Sequence, residues 1–414
     1  MPTFYRIWYT VGVKLTNILP LEGWHASALN LTKQTAFVKI EMNRSTSFDC
    51  PHCSRIMQRR GCRISTCRDL SLGVLDTVLE VSQPIGYCAH CNTYITFCPK
   101  ELHPTKSMSW RFMHQISKLL KDASASLLAK YFNLSESSIL RADKEILSVL
   151  NRAYPVDLSN RSYLIIDEKY LGIKRKFMTC VIDNKGEMLY TALGKSQDVL
   201  AAFFERMSKE QRECIKAVSI DRSNAFHAAL KAYVPHARIC FDPFHIISNV
   251  NQAVDEVRRT AWREANKKDK SFIKGTRFLL LGAREKVIAG ENQKSSLEDV
   301  LACNKSINKA YWLKEQLRFI YKHRDLACVS TLLNQWLTMA AESQLKPFER
   351  LAKTMRKASN EILNFFRVGL SSGRIEGLNS TISLISRKMR GVSSLNYLFL
   401  KLRQRTCHQF TRHI

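Results

Sequence analysis

The sequence lacks any stretch of 18 apolar residues free of charge, so no membrane-spanning helix is indicated. No secretory leader is indicated either. Arg6 and Lys14 interrupt the apolar residues near the start, and no clean hydrophobic core follows them. The 13 cysteines are therefore expected in a reducing cytosol, where paired cysteines read as metal ligands before they read as disulfides. Acid is scarce as well. Against 64 Lys and Arg stand 36 Asp and Glu, a net charge of +28. From Leu345 to Ile414 there are 14 Lys or Arg and three acids, Glu349, Glu361 and Glu376. A surplus spread over several segments suits a polyanionic partner, because neutralised phosphates release their counterions. Nucleic acid is the expected partner, and an anionic membrane surface is the weaker competitor.

What is present is an ordinary globular composition, 45% hydrophobic and 24% charged, in 414 residues. That length exceeds one core and suggests two to four units. Residues 1–48 show no clear period and no motif. Residues 49–104 hold two C-x-x-C knuckles, Cys50-Pro51-His52-Cys53 and Cys88-Ala89-His90-Cys91, with 34 residues between Cys53 and Cys88. Each knuckle can present two thiolates to one tetrahedral Zn²⁺, and four thiolates close the coordination. The expectation is a structural zinc module with a hairpin, its strands near Val78–Ser82 and Tyr94–Phe97. Cys62, Cys67, Cys98, His52 and His90 are spare ligand candidates.

Residues 105–150 read as helices over Trp110–Leu120, Ala125–Tyr131 and from an N-cap at Ser135. The apolar stripe Ile139, Ala142, Ile146 and Leu150 leaves Ser137, Ser138, Arg141 and Lys144 facing outward. This is the pattern of a helix-turn-helix whose last helix enters a major groove. A plain helical linker is the bland alternative.

Residues 161–265 alternate strands and helices. The expected strands are Ser162–Asp167, Lys176–Ile182, Glu187–Leu193, Ile215–Ile220 and Arg238–Phe241. The expected helices are Val199–Met207, Asn224–Tyr233 and 244–264. The order β-β-β-α-β-α-β-α is that of a ribonuclease H-like mixed sheet. Residues 266–370 look wholly helical, clearest over Leu313–Tyr321 and Leu326–Ala340, as an insertion in that fold. Residues 371–414 return to a helix and a basic tail. The fold class expected is α/β and multidomain.

Two-metal phosphoryl transfer needs carboxylates gathered from separate elements around one point. Hard oxygen ligands suit Mg²⁺ or Mn²⁺. Asp167 and Asp221 each end an expected strand, and Glu376 is the helix-borne candidate. On a helix over 374–390 the apolar stripe is Leu378, Ile382, Ile385 and Met389. Glu376 lies off it, near Asn379 and Ser383, with Gly377 leaving room for a close approach. Glu168 and Asp183 rival Asp167, while Asp242 and His245 are possible additions at a strand-to-helix junction.

The segments Ile166-Asp167-Glu168, Val218-Ser219-Ile220-Asp221, Phe241-Asp242-Pro243-Phe244-His245 and Arg374-Ile375-Glu376-Gly377-Leu378-Asn379 resemble the signature blocks of ISL3-group insertion-sequence transposases. The knuckles followed by a helix-turn-helix are similar to that family's N-terminal layout. The resemblance covers roughly residues 48–405 and implies an Asp-Asp-Glu triad, here Asp167, Asp221 and Glu376, on a ribonuclease H-like fold with a helical insertion before the final Glu. Ser372 departs from the family pattern, which often has Asn there.

The resemblance further implies a DNA transposase that binds terminal inverted repeats and target DNA. It would use two Mg²⁺ or Mn²⁺ ions, act as a homodimer or larger assembly on double-stranded DNA, and reside in the bacterial cytoplasm with the nucleoid. Arg387, Lys388, Arg390, Lys401, Arg403 and Arg405 are expected to hold backbone phosphates. A catalytically silent DNA-binding regulator and a plain structure-selective nuclease are the competing readings.

Overall fold

The computed structural model describes residues 21–104, 107–172, 176–289, 291–369, 373–388 and 394–412. They fall into two units. One runs to Pro155 and resumes at Ile385, and the other spans Val156–Leu384. Mixed sheets and many helices make the chain a mixed α/β protein, and no described helix is long and apolar enough to cross a membrane.

The first unit begins with a five-stranded sheet of β1 (Trp24–Leu31), β2 (Thr35–Met42), β3 (Gln58–Leu72), β4 (Leu75–Cys88) and β5 (Thr93–Thr96). β4 pairs antiparallel with β3, parallel with β2, and antiparallel with β5 at its far end. Residues 1–48 carry no motif, yet β2 alternates Ala36, Val38 and Ile40 inward, all fully buried. With Trp24, Cys67, Leu79 and Val81, Val38 and Ile40 form a small core. The expected strand near Val78–Ser82 proves to be the middle of a 14-residue strand, and its partner β3 went unforeseen. Three helices follow: α1 (Trp110–Leu120), α2 (Ala125–Tyr131) and α3 (Glu136–Ala153). Ser109, Ser124 and Ser135 cap them, each side chain accepting from the third backbone N–H. Ile139, Ala142, Ile146 and Leu150 are all buried, as the stripe required.

The second unit holds β6 (Tyr163–Gly172), β7 (Lys176–Asp183), β8 (Met188–Leu193), α4 (Gln197–Phe204), α5 (Lys209–Glu213), β9 (Ala217–Ile220), α6 (Asn224–Tyr233), β10 (Arg238–Phe241) and α7 (Pro243–Glu264). Its sheet order is β10-β9-β6-β7-β8. β6, β7 and β8 are antiparallel, while β9 and β10 run parallel to β6. All four residues of β9 are buried, as befits a central parallel strand covered on both faces. Then come α8 (Lys267–Ile273), α9 (Arg277–Leu281), α10 (Arg284–Ile288), α11 (Glu291–Cys303), α12 (Lys305–Ile320), α13 (Leu326–Ala341), α14 (Lys346–Lys357), α15 (Ser359–Val368) and α16 (Gly373–Lys388). The inserted helices do not form a separate core. Tyr311, Trp336 and Phe348 belong to one cluster with Leu164, Val218 and Phe226. Trp336 donates its indole N–H to the carbonyl of Leu313 at 2.8 Å, and Lys314 closes the end of α9 by donating to Leu280 O and Gly282 O at 2.7 Å.

The chain then returns to the first unit with α17 (Leu395–Thr406) and α18 (His408–Arg412). This corrects the reading of 371–414 as wholly part of the catalytic fold. Tyr397, Leu400, Cys407 and Phe410 share a core with Phe112, Ile116, Ile139 and Leu147. It also corrects three assigned phosphate contacts, Lys401, Arg403 and Arg405. Lys401 and Arg403 are 3% and 1% exposed. Lys401 pairs with buried Asp143 at 3.1 Å, and Asp143 also accepts from Ser117 Oγ and the Tyr397 hydroxyl. Arg403 donates to Asn151 Oδ1 and Tyr154 O, and Arg405 donates to Lys121 O. The three cations are spent on protein groups because a buried charge needs a partner. Removing one member of such a buried pair typically costs about 3–5 kcal/mol. Asp143→Ala is therefore expected to destabilise the first unit by roughly that amount in denaturant unfolding of the full chain, and an unchanged midpoint would contradict this pairing.

Candidate active site and metal centre

The aspartates of the second unit are brought together by strand register. In the parallel pair β6–β9, Ile165 faces Ser219, so two residues further Asp167 stands level with Asp221. In the pair β9–β10, Ile220 faces Phe241, which sets Asp242 level with Asp221. β6 does not end at Asp167 as anticipated. It continues to Gly172 because β7 pairs with it throughout, while β9 stops at Ile220. The row therefore lies where the sheet splits. Asp242 caps α7, its Oδ1 accepting from Phe244 N at 3.1 Å with Pro243 in the first turn. Asp221 accepts from Ser223 N at 3.0 Å.

His245 lies one turn into α7, its Nε2 3.5 Å from Asp167 Oδ1 and 3.9 Å from Asp242 Oδ2. Asn379 of α16 donates its amide to Asp167 Oδ2 at 2.7 Å. Glu168, Lys195, Asp221, Arg222, His245 and Asn249 line an open cleft of about 380 Å³. A larger hollow of about 570 Å³, lined by Trp312, Phe319 and Met339 among the inserted helices, contains none of these aspartates.

The electrostatics are those of crowded carboxylates. Burial, followed by repulsion from Asp221, lifts Glu168 to about 7. Burial also raises Asp221, against the pull of the Ser223 N–H. The hydrogen bond to Asp167 holds His245 above the usual imidazole range. Carboxylates that raise one another's proton affinity are a donor set suited to a hard divalent cation. Asp183, one rival for the first position, is a turn former. It accepts from the N–H groups of Lys185 and Glu187 and pairs with Arg161 at 2.5 Å. Glu376 lies on α16 one turn before Asn379, and its side chain is outside the described residues, as are Ser372, Arg390 and the side chain of Lys388. Arg387 is exposed. Lys195, Arg222 and Asn249 were missed from the sequence, where nothing sets them apart from other surface residues. Asn379 could have been found, since a residue three after Glu376 shares its helix face.

In the first unit, Cys50, Cys53, Cys88 and Cys91 bring four sulfurs within 4.8 Å of one another. Cys50–Cys91 and Cys53–Cys88 are 3.9 and 3.6 Å apart. Zinc–sulfur bonds of about 2.3 Å in a tetrahedron give edges of about 3.8 Å, so the donor set fits a zinc ion. Each knuckle is followed by a left-handed residue, Ser54 at φ 57° and Asn92 at φ 50°, which turns the chain back around the sulfurs. Among the described residues no other group of three or more His, Cys, Asp or Glu ligand atoms is so tight. Cys67 and Cys98 lie in the neighbouring sheet core, Cys62, His52 and His90 are exposed, and all thirteen cysteines are free. On α3, Ser137, Arg141 and Lys144 are exposed and Ser138 is half-buried.

A family model for DDE transposases of the ISL3 group, described as "Transposase", matches residues 164–402. The chain is also similar to the transposase for insertion sequence element IS1001 of Bordetella parapertussis, 27% identical over 359 residues that cover 86% of this chain and 87% of the relative. It is similar as well to the transposase for insertion sequence element IS1557 of Mycobacterium tuberculosis, 23% identical over 372 residues, 83% of this chain and 82% of the relative. Cys88→Ser is expected to abolish stoichiometric zinc in the purified protein and to loosen the β4–β5 end of the sheet. Metal analysis checks this, and undiminished zinc would remove Cys88 from the centre.

Proposed function

The chain belongs to the ISL3 family of insertion-sequence transposases and is a DNA transposase, and we propose that it cleaves and joins DNA with Asp167, Asp221 and Glu376 as the metal-holding triad. The observation that carries this reading is the level row of aspartates on three adjacent strands, with α16 beside it through the Asn379–Asp167 hydrogen bond. Three antiparallel strands followed by two parallel ones, with a helical run before α16, support a ribonuclease H-like catalytic fold over 161–265 and 371–388, interrupted by the insertion 266–370.

Two Mg²⁺ or Mn²⁺ ions, when bound, supply an activated oxygen nucleophile and neutralise charge on the phosphate. Asp167, Asp221 and Glu376 would hold them, with Asp242 as a further acidic neighbour. Asn379 fixes one oxygen of Asp167, so that its other oxygen faces His245. Lys195 and Arg222, at the cleft wall, offer positive charge to the DNA backbone. The hydrolytic cut at the element's end frees a 3′-hydroxyl, which then attacks target DNA in the same cleft. No side chain needs to become covalently linked to DNA.

The first unit would recognise the ends. Its zinc module and helix-turn-helix, residues 49–104 and 105–150, would bind the terminal inverted repeats, with Ser137, Ser138, Arg141 and Lys144 of α3 toward the major groove. Synapsis of two ends calls for at least a homodimer on double-stranded DNA, with the nucleoid as its place of work. Asp221→Ala removes a group asked to supply several kcal/mol of transition-state stabilisation, so cleavage of a labelled duplex carrying the element's end should fall on the order of a thousandfold or more, with binding retained. A variant that still cuts would refute the triad. Asn379→Ala, a loss at a residue that only positions Asp167, should cost roughly 10–100-fold in the same assay, and undiminished cleavage would deny it that role.

A further inference from the structure

Within the zinc module, that scheme gives no residue of the longest strand, β3, a role of its own. β3 is an edge strand, and its first seven residues, Gln58–Ile64, are all exposed. Between Asp49 and Asp69 the chain carries five arginines and no acid. One of them is structural: Arg68 pairs with Asp76 and donates to Phe132 O, each at 3.0 Å. The other four, Arg55, Arg59, Arg60 and Arg63, are exposed, and none forms an ion pair with a described residue.

Two of the four guanidinium groups are held without being neutralised. Arg59 sits 5.0 Å from the ring centroid of Phe48, and Arg60 sits 5.7 Å from that of Tyr87 and donates to Gln58 at 2.7 Å. Neighbouring residues of a strand leave opposite faces, so the two arginines meet different rings, and a bulge lies between Arg59 and Gly61. Tyr87 packs on Tyr94, itself 66% exposed. Four like charges on one ribbon end repel one another unless an anion lies across them. A zinc tetrathiolate, with two net negative charges, answers at most half of them. The planar fork of arginine matches phosphate oxygens two at a time, and a two-stranded ribbon is narrow enough to follow a DNA groove.

We propose that the knuckle-proximal end of the β3–β4 ribbon is a backbone-phosphate clamp for duplex DNA, formed by Arg55, Arg59, Arg60 and Arg63 and separate from the base-reading face of α3. It rests on the reading of the first unit as the DNA-binding part of the transposase. The clamp holds any sequence, and α3 selects among them.

The test uses the full-length protein and two duplexes of equal length, one carrying the element's terminal repeat and one of random sequence, titrated across a range of KCl. Replacing all four arginines by alanine should lower the slope of log K against log salt by about 3 to 4, at about 0.9 per phosphate contact, and equally on both duplexes. The milder pair Arg55→Gln and Arg63→Gln, which keeps both ring contacts, should lose about half of that, with full zinc content as the check on folding. An unchanged slope on both duplexes overturns the clamp, and so does a loss confined to the duplex that carries the terminal repeat. Arg141→Ala separates the two readings. Lost discrimination there, beside an unchanged slope in the arginine variants, leaves base reading by α3 standing and removes the clamp.

Discussion

Adjacent parallel strands hold their residues level, and the second unit uses that constraint twice in succession. The β6–β9 and β9–β10 registers align Asp167, Asp221 and Asp242 at the point where β9 gives out and β6 runs on. Burial above all, with neighbouring carboxylates behind it, raises Glu168 and Asp221 beside this row. The sheet holds them there because its core is apolar and continuous. Val218 and Ile220 of β9 are fully buried or nearly so, and the inserted helices extend the same apolar cluster. A long insertion can thus enter this fold without a core of its own.

The first unit depends on a different kind of constraint. Its sheet closes over a small apolar core beside four gathered thiols, and its helices close over a segment that arrives from the far end of the chain. α17 is docked by polar groups as much as by apolar ones. Asp143 gathers Ser117, Tyr397 and Lys401, and burial beside that carboxylate pushes the Tyr397 hydroxyl well up from its ordinary value. Such a network is strict about register, since a slip by one residue leaves charges buried and unpaired. Helices α1 to α3 and the C-terminal helices are therefore one folding unit, although more than two hundred residues separate them in sequence.

Much of this was legible beforehand, for identifiable reasons. α1, α2, α6 and β10 have the anticipated boundaries, because serine caps and short apolar runs mark them locally. The knuckles were legible because ligand spacing is itself local. The fates of Lys401, Arg403 and Arg405 were not. Basic residues in a basic tail look like phosphate ligands until the acids and carbonyls that claim them, distant in sequence, are seen in space. The continuation of β6 past Asp167 was hidden for a similar reason, since strand length is fixed by the partner β7 and not by the residue at which the apolar run ends. Asp183 and Asp167 each follow or close a hydrophobic run, and only the turn beyond Asp183, with Arg161 against it, distinguishes them.

Iron substituted into the divalent-metal site cuts the backbone next to its ligands when ascorbate and peroxide are added, so it reports metal position without any DNA chemistry. With Asp167, Asp221 and Glu376 as ligands, the full-length protein should be cut near those three positions and be protected by excess Mg²⁺. Asp167→Asn should suppress all three cuts together. Cuts elsewhere in the chain, or a pattern untouched by Asp167→Asn, would contradict the assignment of the triad.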